Sequence, residues 1–206
     1  MHHAHRQAAS RRWAACGVVA WLAAALGPSA LPGQESALVV EARGGLAVPV
    51  GSFATGSRPG EGTEPAASFG VDFALPGGGR LTPYVGFAQN RFGCADAGCA
   101  SDGRYVATGF HGGFRIAPFP SGALIPWIRV GGVTTHVETD ALGGANAGRT
   151  KLGVGGEVGA GIHIQGTSQI ALNPAVRLAA VNAKLPGGSL LRMRYLVADL
   201  GLVLTF

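Results

Sequence analysis

Residues 195–206 read YLVADLGLVLTF. Taken alternately, Leu196, Ala198, Leu200, Leu202, Leu204 and Phe206 make one wholly apolar row, while Tyr195, Val197, Asp199, Gly201, Val203 and Thr205 make a second that holds a carboxylate and a glycine. Successive side chains on a strand point to opposite faces, so this period of two predicts a strand with one face in an apolar medium. The fold then turns on whether the same two-sided pattern recurs often enough upstream to close a sheet on itself.

It recurs seven times, in residues 37–50, 67–75, 81–92, 105–116, 124–137, 151–164 and 170–180. The sixth of these is the clearest, with Leu152, Val154, Val158, Ala160, Ile162 and Ile164 opposing Lys151, Gly153, Gly155, Glu157, Gly159, Gly161 and His163. Glycine, proline and serine punctuate the intervals. Long polar stretches at 52–64, 91–103, 138–149 and 184–192 alternate with tight turns at 76–79, 118–122 and 166–168. Eight strands with connections of alternating length predict an all-β, antiparallel up-and-down barrel with both termini at the short-turn end. A weak internal repeat agrees, because Pro83, Pro126 and Pro174 each stand near the start of an odd-numbered strand, where a missing ladder donor costs least.

Alternation alone does not say which row faces inward, since a soluble barrel has the same period. Composition decides it. Only 13% of the 206 residues are charged, against roughly a quarter to a third on a water-facing surface. The polar row is mostly glycine and small residues with scattered charges, which suits a narrow lumen. The apolar row is almost free of ionisable groups, as contact with lipid requires. The expectation is therefore a transmembrane barrel with its oily rows outside.

The inward charges are balanced: Glu41, Asp72, Glu157 and Asp199 against Arg43, Arg115, Arg129 and Arg177. Arg43 with Asp72, Arg129 with Glu157, and Arg177 with Asp199 are each centred on a long connection, so each pair is placed to meet across its own hairpin. Confined charge is tolerated when paired and hydrogen-bonded. A lumen of eight strands is about wide enough for side chains, so these eight residues read as a salt-bridge plug rather than an ion path. Glycines of the sixth strand leave space for water, and a narrow channel is the alternative.

Residues 1–36 read as a secretory signal peptide that is cleaved, leaving residues 37–206 as the barrel: a basic start precedes an apolar run too short to span a bilayer. Arg11 and Arg12 are read as part of an ordinary basic region, and Cys16 leaves with the leader. The net charge of +5 draws on this leader and makes no basic patch, so no nucleic-acid partner is expected. Cys94 and Cys99 remain, an even count in an exported chain, and a disulfide between them is expected. No second cysteine pair or nearby histidine completes a metal set; no metal and no cofactor are expected. The glycine run at Gly153, Gly155 and Gly156 lies in a strand with no following helix, so it is not a phosphate loop.

The last strand carries one further pattern: Asp199, Gly201, Leu204 and Phe206 resemble the C-terminal assembly signal of bacterial outer-membrane β-barrels. The whole segment 37–206 resembles the small eight-stranded barrels of the OmpA and OmpX type in strand count, loop rhythm and this signal, departing in its scarcity of aromatics (7%). The resemblance implies a Gram-negative outer membrane, with lipid and lipopolysaccharide around the barrel, the barrel assembly machinery as a partner in biogenesis, and the long loops outside the cell. A monomer is expected, with a structural or adhesive role through those loops and an extracellular adhesion partner. Some relatives are lipid A-modifying enzymes, a further alternative. Here His111 lies on the inward row with glycine where a nucleophile is needed, so no enzyme is expected. His163 is read as a second lumen residue, and His136 as a rim residue in water.

Overall fold

The computed structural model describes residues 38–55, 63–74, 80–94, 104–139 and 148–206. Among these residues nine strands and one short helix occur in the order β1 (Val39–Pro49), α1 (Ser52–Thr55), β2 (Thr63–Glu64), β3 (Ala66–Ala74), β4 (Leu81–Cys94), β5 (Arg104–Ile116), β6 (Leu124–Glu138), β7 (Gly153–Gln165), β8 (Ile170–Lys184) and β9 (Leu190–Thr205). Eight of them are long; β2 is a two-residue pairing onto the end of β4. Each long strand pairs antiparallel with the next, and β1 pairs with β9 from Val39↔Thr205 to Pro49↔Tyr195, which closes the sheet. Phe206 N donates to Leu38 O across the seam at 2.9 Å. Closure leaves none of the eight long strands as a sheet edge, the condition for carrying backbone polar groups through hydrocarbon.

The two rows separate as their chemistry requires. On β7, Val154 and Val158 are 59% and 52% exposed; on β9, Leu200 and Leu202 are 53% and 45% exposed. The intervening Glu157 and Asp199 are buried. Large apolar side chains therefore cover the outside wall while carboxylates line the inside, the reverse of a soluble barrel. Among the described residues no helix is long and apolar enough to cross a membrane.

The ends of β8 and β9 differ from expectation. Residues 184–192 read as a long loop, yet the β8–β9 ladder continues to Lys184↔Leu190 and only residues 185–189 turn. Gly188 closes that turn at φ 89°, a region open to glycine; its N–H donates to Leu185 O, and Leu185 N–H donates to Ser189 O. The misreading has a physical cause: the pleat persists while its polarity inverts. Val181, Ala183, Leu191 and Met193 point inward and are buried, whereas Asn182, Lys184, Arg192 and Arg194 point outward and are exposed. Beyond the apolar band the wall faces water, so the apolar row has to turn inside.

Of these inward residues Val181, Leu191 and Met193 join Phe53 of α1, Phe92 and Tyr105 in an apolar cluster at the long-loop end of the barrel. Phe92 packs edge-on against both Phe53 and Tyr195, with ring centroids 5.2 and 5.3 Å apart. Thr63 Oγ1 donates to Phe53 O at 2.8 Å and ties β2 to α1. Each large side chain in such a cluster contributes roughly 1.5–3 kcal/mol by leaving water. Residues 1–36, read above as a cleaved signal peptide, Cys99 and the side chain of Cys94 lie outside the described residues.

A charge placed on the two zones should separate them. Val158→Arg, in the middle of the apolar band, is expected to destabilise the bilayer-inserted barrel by about 2–4 kcal/mol, and Asn182→Arg by about 0–1 kcal/mol. Urea unfolding from lipid vesicles measures both.

Candidate functional site

The inward row of every long strand delivers a polar side chain to one level of the lumen. Arg43 comes from β1, Asp72 from β3, Tyr84 from β4, His111 from β5, Arg129 from β6, Glu157 from β7, Arg177 from β8 and Asp199 from β9. All eight are buried.

Six of them form a closed ring of alternating charge. Arg43 Nη2 donates to Asp72 Oδ1 at 2.7 Å, and Arg129 Nη1 donates to the other oxygen, Oδ2, at 3.0 Å. Arg129 Nη2 continues to Glu157 Oε1 at 2.5 Å, whose Oε2 accepts from Arg177 Nη1 at 3.5 Å. Arg177 Nη2 and Nε then reach Asp199 Oδ2 at 2.5 and 2.8 Å. The same oxygen accepts from Arg43 Nη1 at 3.2 Å, which returns the ring to its start. Three guanidinium groups meet three carboxylates, so the ring carries no net formal charge. Forked guanidinium donors suit this work, because each one bridges two acceptors in fixed geometry.

The remaining two strands fill the gaps. Tyr84 OH donates to Glu157 Oε1 at 2.8 Å, and the Arg129 guanidinium lies 4.7 Å from the Tyr84 ring centroid. His111 Nε2 stands 2.6 Å from Asp72 Oδ1 and 3.0 Å from Arg43 Nη2; when protonated, this nitrogen donates to the carboxylate. His111 is thereby tied to two members of the ring.

The three cross-hairpin pairings read from sequence are all members of the ring. Arg115 and Glu41 stand apart from it: Arg115 Nη2 donates to Glu41 Oε2 at 2.6 Å, nearer the short-turn end. Arg115 also lies over the Trp127 ring at 4.5 Å, and Trp127 Nε1 donates to Asn173 Oδ1 at 2.7 Å. This second layer spans the lumen below the ring. Contacts such as Arg129 to Asp72 and Tyr84 to Glu157 join strands that are not neighbours. Inward parity marks Tyr84, Trp127 and Asn173 as lumen residues, but their partners depend on the shear of the barrel.

Inward glycines provide the space. A Cβ at Gly86 would fall on the Asp72 carboxylate and the His111 ring, and one at Gly201 would fall on the Glu41 carboxylate. The room over Gly159 and Gly161 on β7, expected to admit water, is occupied by the stems of Arg177 and Arg129 and by the Trp127 ring. Above the ring, Asn90, Thr135, Tyr195 and neighbouring residues line a cavity of ≈ 10 Å³. That is room for about one water molecule, not a file of them. His163 lies near the short-turn end, its Nε2 3.0 Å from Gln165 Oε1, and His136 Nδ1 is 3.1 Å from Thr150 O. Of the residues read as an assembly signal, Asp199 belongs to the ring, Gly201 accommodates Glu41, and Phe206 is exposed on the outer wall.

No family profile and no curated protein matches the chain. Solved structures do. Neisserial surface protein A aligns over 84% of this chain and 100% of its own length, with 16% identity and a TM-score of 0.64. The outer membrane protein OprG from Pseudomonas aeruginosa aligns over 83% and 96%, with 12% identity and a TM-score of 0.56. This is the fold of the small eight-stranded outer-membrane β-barrels. The N-terminal β-barrel domain of Pseudomonas aeruginosa OprF shares it, at 13% identity and a TM-score of 0.51 over 82% of this chain and 97% of that domain. An apolar wall around a neutral polar lumen is what such an outer-membrane barrel needs, and identity this low carries the architecture without a role for any residue.

Removing one member of the ring strands the charges that remain. Arg129→Met leaves Asp72 and Glu157 each short of a partner, and the expected loss is about 3–5 kcal/mol. Adding Asp72→Asn to that variant should recover part of it, since the surplus negative charge is then reduced. Paired unfolding curves of the single and double variants measure the coupling.

Proposed function

We propose that the protein is a monomeric component of the bacterial outer membrane whose lumen is closed, and that it works through the surface at its long-loop end in a structural or adhesive role. The observation carrying this reading is the closed ring of six alternating charges, capped on the long-loop side by the apolar cluster around Phe92, Leu191 and Met193. An ion crossing the barrel has to break paired charges at one level and enter an apolar layer at the next. Both steps are costly, and neither is offset by a net charge that attracts an ion of one sign.

Residues 1–36 are proposed to be removed on export, and Cys94 and Cys99 to form a bridge in the oxidising compartment. The last strand is proposed as the segment read by the barrel assembly machinery. In this orientation the long connections face the cell exterior and supply the contact surface for an adhesion partner. Acyl-transfer chemistry finds no support at His111, whose Nε2 is held among the lumen charges.

Planar-bilayer recording of the refolded protein tests the closed lumen. The expected result is no reproducible unitary step. Steps present in the unmodified protein and abolished by Arg129→Ala or Glu157→Ala would overturn the reading in favour of a narrow channel.

A further inference from the structure

The cavity above the charged ring has a volume of only ≈ 10 Å³, yet six strands bring polar side chains to its wall: Asn90 from β4, His111 from β5, Thr135 from β6, Glu157 from β7, Arg177 from β8 and Tyr195 from β9. Ala88 and Val133 complete the lining on its apolar side. The space sits where the ring ends and the apolar cluster begins.

Three of these side chains have hydrogen-bonding capacity left over. Asn90 is buried; its Nδ2 donates to Tyr195 OH at 3.4 Å, and its Oδ1 has no partner among the described residues. Tyr195 is buried too, and by accepting from Asn90 it keeps its own O–H proton to donate. His111 is the third. Its Nε2 stands 2.6 Å from Asp72 Oδ1 and 3.0 Å from Arg43 Nη2, while Arg43 Nη2 donates to that same oxygen at 2.7 Å. In this triangle Nε2 cannot both donate to the carboxylate and accept from the guanidinium. The shorter side needs a hydrogen between nitrogen and oxygen, because two acceptors repel at such a separation. Nε2 therefore carries the proton, and in a neutral imidazole Nδ1 is then an acceptor. No contact to Nδ1 occurs among the described residues.

Two acceptors and one donor around a space of this size match a water molecule. It can donate one hydrogen to Asn90 Oδ1 and the other to His111 Nδ1, and accept from Tyr195 OH. Three partners are typical of a buried water, and the volume admits about one. We propose that the cavity is a binding site for a single ordered water held by Asn90, His111 and Tyr195, and that this water fixes His111 in the tautomer that donates to Asp72. The bond made at one imidazole nitrogen decides which nitrogen carries the proton. Through it the apolar cluster, where Tyr195 packs on Phe92, is joined to the ring at Asp72. The water's place in the lumen is independent of the role given to the long loops.

The test uses isotope-labelled protein refolded in detergent micelles at about pH 8, above the range in which imidazole ordinarily charges. A water-selective nuclear Overhauser experiment is expected to show a cross-peak between a long-lived water and the His111 ring protons. The His111 nitrogen shifts are expected to report a proton on Nε2 and a hydrogen-bonded, unprotonated Nδ1. Val133→Ile pushes one more carbon into the cavity. It is expected to abolish the cross-peak, to move the Nδ1 shift, and to lower the urea midpoint by about 0.5–1 M, since the polar groups lose their partner. Val130→Ile, on the exposed outer face of the same strand, should leave all three unchanged. Where Val133→Ile does not fold, Asn90→Leu and Tyr195→Phe are each expected to weaken the cross-peak and move the Nδ1 shift.

Absence of the cross-peak in the unmodified protein overturns the proposal, and so does a proton on Nδ1. A raised midpoint in Val133→Ile does the same, being the result for a dry cavity filled by an extra carbon. A lowered midpoint with the cross-peak intact also overturns it, because crowding alone then accounts for the loss.

Discussion

Charge confined in a narrow lumen is the constraint on which the rest of this structure depends. Eight strands enclose a space about wide enough for side chains, and a polar group inside it has no bulk water to turn to. Every carboxylate there needs donors and every guanidinium needs acceptors. The ring from Arg43 through Asp72, Arg129, Glu157, Arg177 and Asp199 meets that need with alternating signs, each member held by two others. Replacing all of it by a packed apolar core is not excluded by energetics, since buried ion pairs roughly break even against hydrophobic groups of similar volume. What the ring adds is register. Because side chains alternate with a period of two, a slip of one residue in any contributing strand would carry its charge out to the lipid. The backbone must also leave room for the charges it carries, and this is the work of inward glycines such as Gly86 and Gly201.

Two surroundings act on one uninterrupted pleat. Along β9 the inward positions run from Leu191 and Met193 through Tyr195 and Val197 to Asp199, and the outward ones from Arg192 and Arg194 to Leu196 and Leu200. The strand geometry is constant across the change. What alters is the solvent on the outer side: water beside the arginines, hydrocarbon beside the leucines. Each zone places its less soluble row away from water, so the same barrel has a polar interior in the membrane and an apolar interior above it. The upper cluster also receives Phe53 from α1, which anchors the start of a long connection to the barrel. The surface offered outside the membrane is therefore mounted on a packed base.

Much of this was legible in the sequence, for identifiable reasons. Rows such as Leu196 to Phe206 and Val154 to Ile164 carry the strand, its period and the sign of its outer face. The balance of acids and arginines on the inward row pairs Arg43 with Asp72, Arg129 with Glu157, and Arg177 with Asp199, because hairpin partners lie symmetrically about a turn. Partners across the lumen were out of reach: the distance from Arg129 to Asp72, or from Tyr84 to Glu157, follows from the tilt and shear of the closed sheet. The extension of β8 and β9 was hidden differently. Apart from Leu190 the outward row loses its oily residues between Ala180 and Leu196, although the alternation continues with its polarity exchanged. Glycines on β7 gave the wrong impression of empty space, since the Trp127 ring and the arginine stems that fill it come from neighbouring strands.

The most direct test of the central claim is an accessibility scan along β9 with single spin labels, comparing relaxation by oxygen, which partitions into hydrocarbon, with relaxation by a water-soluble nickel complex. The account predicts strong oxygen and weak nickel exposure at Leu196, Leu200 and Leu202, protection from both at Val197 and Val203, and nickel exposure at Arg192 and Arg194. Nickel reaching Leu200 and Leu202, or oxygen reaching the odd-numbered positions instead, would contradict it.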